Sequence, residues 1–425
     1  MTSFMLAGMV ALFALSVPIA IAIAAASIGG IVLFESIPLI VVAQKMMTTL
    51  DSFPLMAVPF FILAGNLMEA GGISRRLVEF AKALVGGVQG GLACSCVLTC
   101  MIFASVSGSS VATTFAIGAI IIPAMVRHRY PKEFAAALQA TSAELGVIIP
   151  PSIPMILYGV SAEVSIGEMF IAGIGPGLLI GFALILFVWV TCKLRGWGRD
   201  DAEGRAGLVA ATRSAALALL MPVIIIGGIY RGVFTPTEAS VVAVVYAAVV
   251  SLFVYRAITF ADLAPILRKS VISSAMIMFI IAAAGLFSFL ITRAGVPAAA
   301  AEWISGIIGG KASFLLAVNA FLFVVGMFIE TSAAIIVLAP ILAPIAASYG
   351  IDPVHFGLVM VVNLALGMIT PPFGVNLFAA CQVAGISMER IIPRLLPFVL
   401  VVGTCLLLIT YVPAIPLFLR DMVFR

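Results

Sequence analysis

Long apolar segments with short polar interruptions run along almost the whole chain, from Phe4 to Leu419. A helix needs about 20 apolar residues to cross the hydrocarbon of a bilayer. Many of the segments have this length, so the pattern predicts about ten transmembrane helices. Their approximate bounds are residues 4–25, 28–44, 53–70, 133–160, 165–191, 213–230, 236–255, 271–292, 354–385 and 391–419.

Two further apolar pairs, residues 88–126 and 312–348, each turn back at a polar tip, and we interpret them as re-entrant hairpins. The first tip, residues 105–114, reads SVSGSSVATT. Residues 73–87 and 256–269 mix basic and apolar positions at helical spacing, which fits helices lying in the cytoplasmic interface. The predicted fold is an all-α polytopic membrane protein with about ten crossings, two re-entrant hairpins and interfacial arm helices.

The composition supports this class of protein. Of 425 residues, 64% are apolar and 9% are charged, whereas a soluble domain carries about 25% charged residues. The net charge of +4 matters for membrane topology and does not indicate a nucleic-acid partner. The cysteines of CSCVLTC, residues 94–100, form no CxxC pair, so helix packing explains them better than metal binding does.

Lysine and arginine residues indicate the orientation of the chain. If the N-terminus lies outside, sixteen of the 22 basic residues fall in cytoplasmic segments, as the positive-inside rule expects. Both termini are then outside. Residues 192–212 contain the longest polar stretch and are predicted to be a cytoplasmic linker between two halves, residues 1–191 and 213–425.

Several residues of the first half align with identical or similar residues of the second half when the sequence is shifted by 221 positions. The coinciding pairs are Ser110 with Thr331, Pro123 with Pro344, Gly146 with Gly367, Pro150 with Pro371, Pro151 with Pro372 and Pro176 with Pro397. Each half has five predicted crossings, an odd number, so the second repeat is expected to be inverted relative to the first. Inverted repeats are typical of transporters that hold substrate and ions near the membrane midplane.

Polar breaks at membrane depth are expected to line a site, because unpaired backbone groups are costly in hydrocarbon. A double proline removes two N–H donors and ends a helix. The resulting helix ends offer N–H groups to a carboxylate and carbonyl oxygens to a small cation. We expect each hairpin tip and the neighbouring break to bind sodium rather than a proton, because the available oxygens are mostly neutral hydroxyls and carbonyls.

Two sets of candidate sodium ligands follow. The first set is Ser105, Ser107, Ser109, Ser110, Gly146, Ile149 and Pro150. The second set is Gly326, Thr331, Ser332, Gly367 and Thr370. The structural alternative is back-bonding of the hydroxyls to a carbonyl one turn earlier. Glu144 and Glu330 lie near the breaks and could assist cation binding, carry a proton or pair with a basic residue.

Motifs for other chemistries are missing from the sequence. It contains no GxxxxGK[ST] phosphate loop, which argues against an ATP-driven pump, and no GxSxG or HExxH motif of an enzyme. The two histidines, His128 and His355, both lie beside predicted membrane ends. We therefore expect no catalytic residues, no organic cofactor and no metal other than sodium.

Four motifs carry a resemblance to a known family. SVSGSSVATT, SAELGVIIPPSIPMILYGV, GMITPPFGVNLF and the early LDSFPLMAVPFFILAGNLM resemble the large membrane subunit of tripartite ATP-independent periplasmic (TRAP) transporters. The resemblance covers nearly the whole chain. It implies secondary import of an organic acid, usually a carboxylate, driven by a sodium gradient. The family works as an elevator, in which the hairpins and broken helices slide against a scaffold.

The resemblance also implies site residues, partners and a location. It maps sodium ligands onto the two sets above and makes Asn376 a candidate substrate contact, together with Ser152 and Glu330 beside the breaks. The implied partners are a separate small four-helix membrane subunit and a periplasmic substrate-binding protein. The location is the bacterial inner membrane, with both termini periplasmic. In SAELG, Glu144 stands where the family leads us to expect a small neutral residue.

Two alternative functions stay open from the sequence. The two glutamates fit a proton-coupled or binding-protein-independent organic-anion carrier. A channel or a structural membrane subunit would also be apolar throughout. Uptake into proteoliposomes distinguishes the three, because only the first function requires both a sodium gradient and the binding protein.

Overall fold

A computed structural model describes residues 1–35, 37–85, 87–199, 207–307 and 309–424. These residues form helices and no β-strand, which confirms the all-α prediction. The helices of the first half are α1 (Thr2–Ala14), α2 (Ile19–Phe34), α3 (Ile40–Leu50), α4 (Ala57–Ala70), α5 (Ile73–Val85), α6 (Gly91–Ser107), α7 (Ser110–Arg127), α8 (Lys132–Ala143), α9 (Leu145–Ile148), α10 (Ile153–Ser161) and α11 (Ile166–Arg195).

The second half continues the helical pattern. Its helices are α12 (Leu208–Tyr230), α13 (Pro236–Val249), α14 (Phe260–Arg293), α15 (Val296–Ile307), α16 (Lys311–Gly326), α17 (Thr331–Ser348), α18 (Pro353–Met368), α19 (Val375–Ala384), α20 (Met388–Tyr411) and α21 (Ala414–Phe424). In the described part of the chain, eight helices are long and apolar enough to cross a membrane, or nine if the bent pair 132–148 and 153–161 is one span.

The N-terminal region differs from the predicted pair of long helices. The prediction of one helix over residues 4–25 is wrong, because α1 ends at Ala14 and α2 begins at Ile19. Pro18 precedes α2 and has no N–H to continue the hydrogen bonding of α1. The predicted helix over 28–44 is also wrong, since α2 ends at Phe34 and α3 begins at Ile40.

These N-terminal helices pack against the long helix α14. Met5 of α1 and Ile23 of α2 share a buried cluster with Phe287 of α14. Helix α14 has 34 residues, which is about 51 Å at 1.5 Å per residue. It therefore joins the predicted span 271–292 to residues 260–269 of the segment predicted as an interfacial arm, with no break in the helix.

The linker between the two halves is shorter in the structure than the predicted residues 192–212. Helix α11 extends to Arg195 and α12 begins at Leu208, so both helices include part of the predicted linker. Residues 200–206 of the linker lie outside the described residues. The arm predicted at 73–87 corresponds to α5, which buries Ile73 and Leu77 on one face.

The hairpins and the proline-containing breaks pack crosswise in the centre of the molecule. Helices α6 and α7 of the first hairpin contact α8 and α9, and α16 and α17 of the second contact α18. In addition, α19 contacts α7, and α10 contacts α17. Each broken helix therefore touches the hairpin of the other half. Tyr158 of α10 also donates a hydrogen bond to the Pro353 carbonyl at the start of α18, at 2.8 Å.

The C-terminal helix α21 packs along α11. Its buried Arg420 side chain forms ion pairs with neighbouring helices. The Arg420 side chain is 3% exposed and donates two hydrogen bonds of 3.0 Å to Asp352. It also contacts Glu168 of α11 at 3.4 Å. Asp352 in turn accepts hydrogen bonds from the backbone N–H groups of Val354 and His355, which begin α18. These contacts hold together the ends of α11, α18 and α21.

Candidate cation and substrate sites

The first hairpin turns within two residues. Helix α6 ends at Ser107, Gly108 adopts φ +62°, and Ser109 is the N-cap of α7. The left-handed conformation of Gly108 favours glycine. The Ser109 hydroxyl accepts a hydrogen bond from the N–H of Ala112, at 3.4 Å. This geometry brings the end of one hairpin helix close to the start of the other.

Three oxygen atoms lie close together at this tip. The Ser107 hydroxyl donates to the Ser109 carbonyl at 3.0 Å, and the Thr113 hydroxyl donates to the same carbonyl at 2.8 Å. The two hydroxyl oxygens are 3.4 Å apart. Ser107 and Thr113 are buried, so this cluster is largely removed from solvent. Hydroxyl and carbonyl oxygens of this kind suit a small hard cation.

The first helix break is pressed against this oxygen cluster. A Cβ placed on Gly146 would lie 2.8 Å from both the Ser109 carbonyl oxygen and the Thr113 hydroxyl oxygen. Only glycine allows this approach. The N–H of Ile153, just after the break, donates to the Gly108 carbonyl at 3.4 Å. The tip and the break are therefore in direct backbone contact, as the first candidate site requires.

Two other predicted residues near the first tip and break, the sodium candidate Ser105 and the substrate candidate Ser152, have local hydrogen bonds. Ser105 donates to the carbonyl of Ile102, one turn earlier, at 2.6 Å. Ser152 donates to the carbonyl of Val147 at 2.6 Å and caps α10 by accepting from the N–H of Met155. Other predicted members of the region are Ser110, buried at the start of α7, and Ile149 and Pro150, which follow α9.

The second hairpin and break repeat this arrangement. Helix α16 ends at Gly326 and α17 begins at Thr331. The N–H of Gly374, after the second break, donates to the Met327 carbonyl of the tip at 3.4 Å. Gly374 is the counterpart of Ile153 at the offset of 221 residues, so both breaks contact their hairpin tips from equivalent positions.

Close glycine contact joins the second tip to its broken helix. A Cβ on Gly326 would lie 2.9 Å from the Leu364 carbonyl oxygen and 3.1 Å from the Gly367 Cα. The Thr331 hydroxyl contacts the Met368 sulfur at 2.9 Å. Thr370 donates to the carbonyl of Leu366, one turn earlier, at 2.8 Å. The second tip is therefore less rich in clustered hydroxyls than the first.

Glu330 is the N-cap of α17. One carboxylate oxygen accepts from the N–H of Ala333 at 3.1 Å, and the other accepts from the Ser332 hydroxyl at 2.9 Å. A carboxylate at a helix N-terminus also interacts favourably with the helix dipole. These contacts give Glu330 a structural role in shaping the second tip.

Glu144 and Asn376 link the two halves between the tips. The Asn376 side-chain amide donates a hydrogen bond of 2.5 Å to one carboxylate oxygen of Glu144. Glu144 is 2% exposed and Asn376 is fully buried. Asn376, one of the predicted substrate contacts, is thus placed against a carboxylate of the other half.

A cavity of about 480 Å³ borders the first tip, and apolar groups line most of it. It lies between that tip and the helices α4 and α14. Its polar lining residues are Asn66, Glu69, Ser107, Ser109, Lys269 and Ser273. Lys269 forms an ion pair with Glu69 at 2.9 Å, and Asn66 donates to Ser270 at 2.8 Å. The cavity therefore brings several polar groups close to the first tip.

Residues 6–415 match the family described as Tripartite ATP-independent periplasmic transporter, DctM component. The chain belongs to this family. The match spans almost all of the chain and confirms the resemblance based on the sequence motifs. This DctM protein is therefore a multi-pass membrane component of a TRAP transporter.

Several curated relatives of this DctM protein are also TRAP permeases. It is 45% identical to the isethionate TRAP transporter permease protein DctMQ of Oleidesulfovibrio alaskensis, over 97% of this chain and 65% of the relative, so it spans about two thirds of that protein. It is 44% identical to the C4-dicarboxylate TRAP transporter large permease protein DctM of Pseudomonas aeruginosa, over 89% of both chains. It is 34% identical to the sialic acid TRAP transporter large permease protein SiaM of Vibrio cholerae, over 98% and 97%.

Solved transporters share the fold at low sequence identity. The YdaH transporter of Alcanivorax borkumensis matches with a TM-score of 0.64 and 15% identity, covering 89% of both chains. MtrF of Neisseria gonorrhoeae matches with a TM-score of 0.59 and 13% identity, covering 92% of both chains. The similarity shows that this DctM protein shares their fold. At such low identity it does not indicate a substrate.

Sequence reasoning missed several polar residues of this DctM protein's central region. Thr113 lies within the quoted tip motif but was not among the candidate ligands, although it is one turn from Ser109. Asn66 and Lys269 line the cavity from helices that lie far apart in sequence. A lone asparagine inside the apolar segment 53–70 was the available signal for Asn66.

Proposed function

We propose that this DctM protein is the large permease subunit of a sodium-coupled transporter that imports an organic acid with the help of a binding protein. The observation that carries the proposal is the direct contact of each hairpin tip with a proline-containing helix break, from Ile153 to Gly108 and from Gly374 to Met327. Such breaks offer oxygen atoms and helix ends inside the membrane, where coupling ions and substrate are bound in secondary transporters.

Sodium fits the donor set at the first tip. The Ser107 and Thr113 hydroxyls and the Ser109 carbonyl supply neutral oxygens within a small space. The close packing of Gly146 leaves no room there for a side chain. We infer that the first sodium uses these groups with the carbonyl oxygens at the end of α9, and that the second uses the region of Gly326, Thr331, Ser332, Gly367 and Thr370. A bound sodium would supply positive charge beside the substrate.

The proposed substrate class rests on the relatives and on the polar groups of the cavity beside the first tip. The relatives are named for isethionate, C4-dicarboxylates and sialic acid, all of which are organic acids. Lys269 and Asn66 border the cavity next to the first tip and could receive an acid group on its path. Ser152, Glu330 and Asn376 stay the proposed substrate region between the breaks.

An elevator movement is supported by the packing around the first tip. Helix α4 meets this tip through Gly65, where a Cβ would lie 3.6 Å from the Ser107 Cα. Small residues at this contact let one rigid body slide over another without side chains that interlock there. We propose that the hairpins with α8–α10 and α18–α19 move against a scaffold that includes α4, α13 and α14.

The proposed assembly has three components. The family is one component of a tripartite transporter, and we propose a small four-helix membrane subunit and a periplasmic substrate-binding protein as partners. The proposed location is the bacterial inner membrane with both termini periplasmic. The inverted halves are residues 1–191 and 213–425, with the first hairpin on the cytoplasmic side and the second on the periplasmic side.

Uptake into proteoliposomes tests the proposed function. Wild-type permease with its small subunit should take up substrate only when the binding protein is added outside and an inward sodium gradient is imposed. Ser110→Leu and Thr331→Leu should abolish sodium-stimulated uptake. Thr404→Leu is the matched control, because Thr404 is exposed on α20 and its hydroxyl donates to the Leu400 carbonyl one turn earlier. Sodium stimulation that persists in both tip variants would contradict the site assignment.

A proton-coupled or binding-protein-independent carrier is the second candidate function. The buried Glu144 is the observation that favours it, because a carboxylate at this depth can carry a proton. Uptake driven by a proton gradient alone, without sodium or the binding protein, would support this alternative and overturn the proposed function.

A further inference from the structure

Glu144 has one carboxylate oxygen that the proposed function does not use. Its other oxygen accepts the hydrogen bond from Asn376. The remaining oxygen, Oε2, is buried and has no hydrogen-bond partner in the described structure, and the same is true of Oδ1 of Asn376. Two buried acceptor atoms on contacting side chains thus lack a donor or a cation.

The surrounding charges increase the need for a positive partner. Burying a carboxylate is costly unless a counter-charge or hydrogen bonds compensate it. In the described residues, the ion pairs of the structure do not include Glu144. The second tip carries another carboxylate, Glu330, of the same sign. An organic anion bound between the breaks would add further negative charge.

The available atoms select the kind of ligand. The described residues contain no cluster of three histidine, cysteine, aspartate or glutamate side chains that could hold a metal ion. A single carboxylate oxygen with an amide oxygen instead suits a hard cation of low charge, since such ions prefer oxygen ligands. The side-chain N–H group of Asn376 already donates to Glu144. The remaining amide atom of Asn376, Oδ1, can only accept a hydrogen bond or bind a cation.

We propose that Glu144 Oε2 and Asn376 Oδ1 form a third binding position, for a monovalent cation, that is separate from the two hairpin-tip sites. Glu144 lies between α8 and α9 of the first half, and Asn376 lies in the first turn of α19 of the second half. The cation therefore contacts both halves. It needs Glu144 and Asn376 to lie side by side in order to bind. It also places positive charge where the proposed substrate anion is held. This inference rests on the proposed sodium-coupled function.

Sodium counting tests the third position without a variant. Equilibrium binding of radioactive sodium to the purified wild-type permease with its small subunit should saturate at about three ions per permease, since each independent site adds one to the bound total. Saturation at two ions would overturn the proposal. Binding of none would overturn the proposed function itself, so the two failures are distinguishable.

A charge substitution locates the additional ion. Glu144→Gln should lower the number of bound sodium ions by one and reduce the steepness of the sodium dependence of uptake, whereas Glu144→Asp, which keeps the charge, should retain the ion with weaker affinity. Glu163→Gln is the control, because Glu163 is an exposed acid in the loop between α10 and α11. An unchanged ion count in a folded Glu144→Gln protein would overturn the proposal. Retained sodium dependence with lost pH dependence of uptake would identify Glu144 as a proton carrier instead.

Discussion

Gly367→Ala tests whether the packing of the second hairpin against α18 controls a cation site. A Cβ at position 367 would lie 2.5 Å from the Gly326 Cα and 2.9 Å from the Gly326 carbonyl oxygen. Both atoms belong to the backbone, so rotation of a side chain cannot relieve the contact. The hairpin and the helix would have to move apart.

The size of this movement determines how much sodium binding should weaken. Non-bonded carbon atoms pack best at about 3.5–4.0 Å, so the two backbones must separate by about 1 Å. Overpacking of this kind costs about 1–3 kcal/mol. The hydrogen bond from Gly374 N–H to the Met327 carbonyl is already 3.4 Å long and would be lost. We expect the sodium concentration for half-maximal uptake to rise about tenfold, which corresponds to about 1.4 kcal/mol.

The assay is sodium-dependent uptake into proteoliposomes at saturating substrate, together with the thermal unfolding midpoint of the purified protein. Gly403→Ala on α20 is the matched control, because its Cβ would meet only the Leu366 side chain, at an ordinary distance of 3.9 Å. The control should keep the wild-type sodium dependence. If Gly367→Ala also keeps it, or if the control shows the same loss, the reasoning from hairpin packing is refuted.

Three further predictions concern single contacts. Ser107→Ala should weaken sodium stimulation of uptake because it removes one oxygen of the first tip, whereas Ser105→Ala should leave the sodium titration unchanged because that hydroxyl bonds one turn earlier; equal effects would contradict this. Tyr158→Phe removes a hydrogen bond between the halves and should lower unfolding stability by about 0.5–1.5 kcal/mol, measured by thermal denaturation; an unchanged midpoint would count against it. Arg420→Ala should cost about 1.5–3 kcal/mol, because it removes hydrogen bonds to a charged group. Burial alone would raise the pKa of Asp352, but the backbone N–H groups of α18 and the Arg420 guanidinium hold that pKa below its usual range. This stabilisation is complete above the unfolded-state pKa and is lost as the pH falls through the folded-state pKa, so acidification should destabilise wild type more than Arg420→Ala; equal acid sensitivity would refute the assignment.

Much of the central region could be predicted from local sequence signals. The double prolines and the serine-rich tip marked the breaks because proline and glycine act on the backbone wherever they occur. The contacts of Ile153 with Gly108 and of Gly374 with Met327 lie in the segments that these residues indicated. The bounds of α1, α2 and α14 were less predictable, because an apolar segment in a membrane protein does not show where one helix ends and the next begins.

The sequence by itself determined that this is an all-α membrane protein of the DctM type, because apolar length and proline position act locally. Only the tertiary structure decided which side chains meet between the halves. Glu144 and Asn376 are 232 positions apart in the chain, and Asn66 and Lys269 reach one cavity from separate helices. Such long-range contacts depend on how the helices pack in three dimensions. The spacing of residues along the chain does not show them.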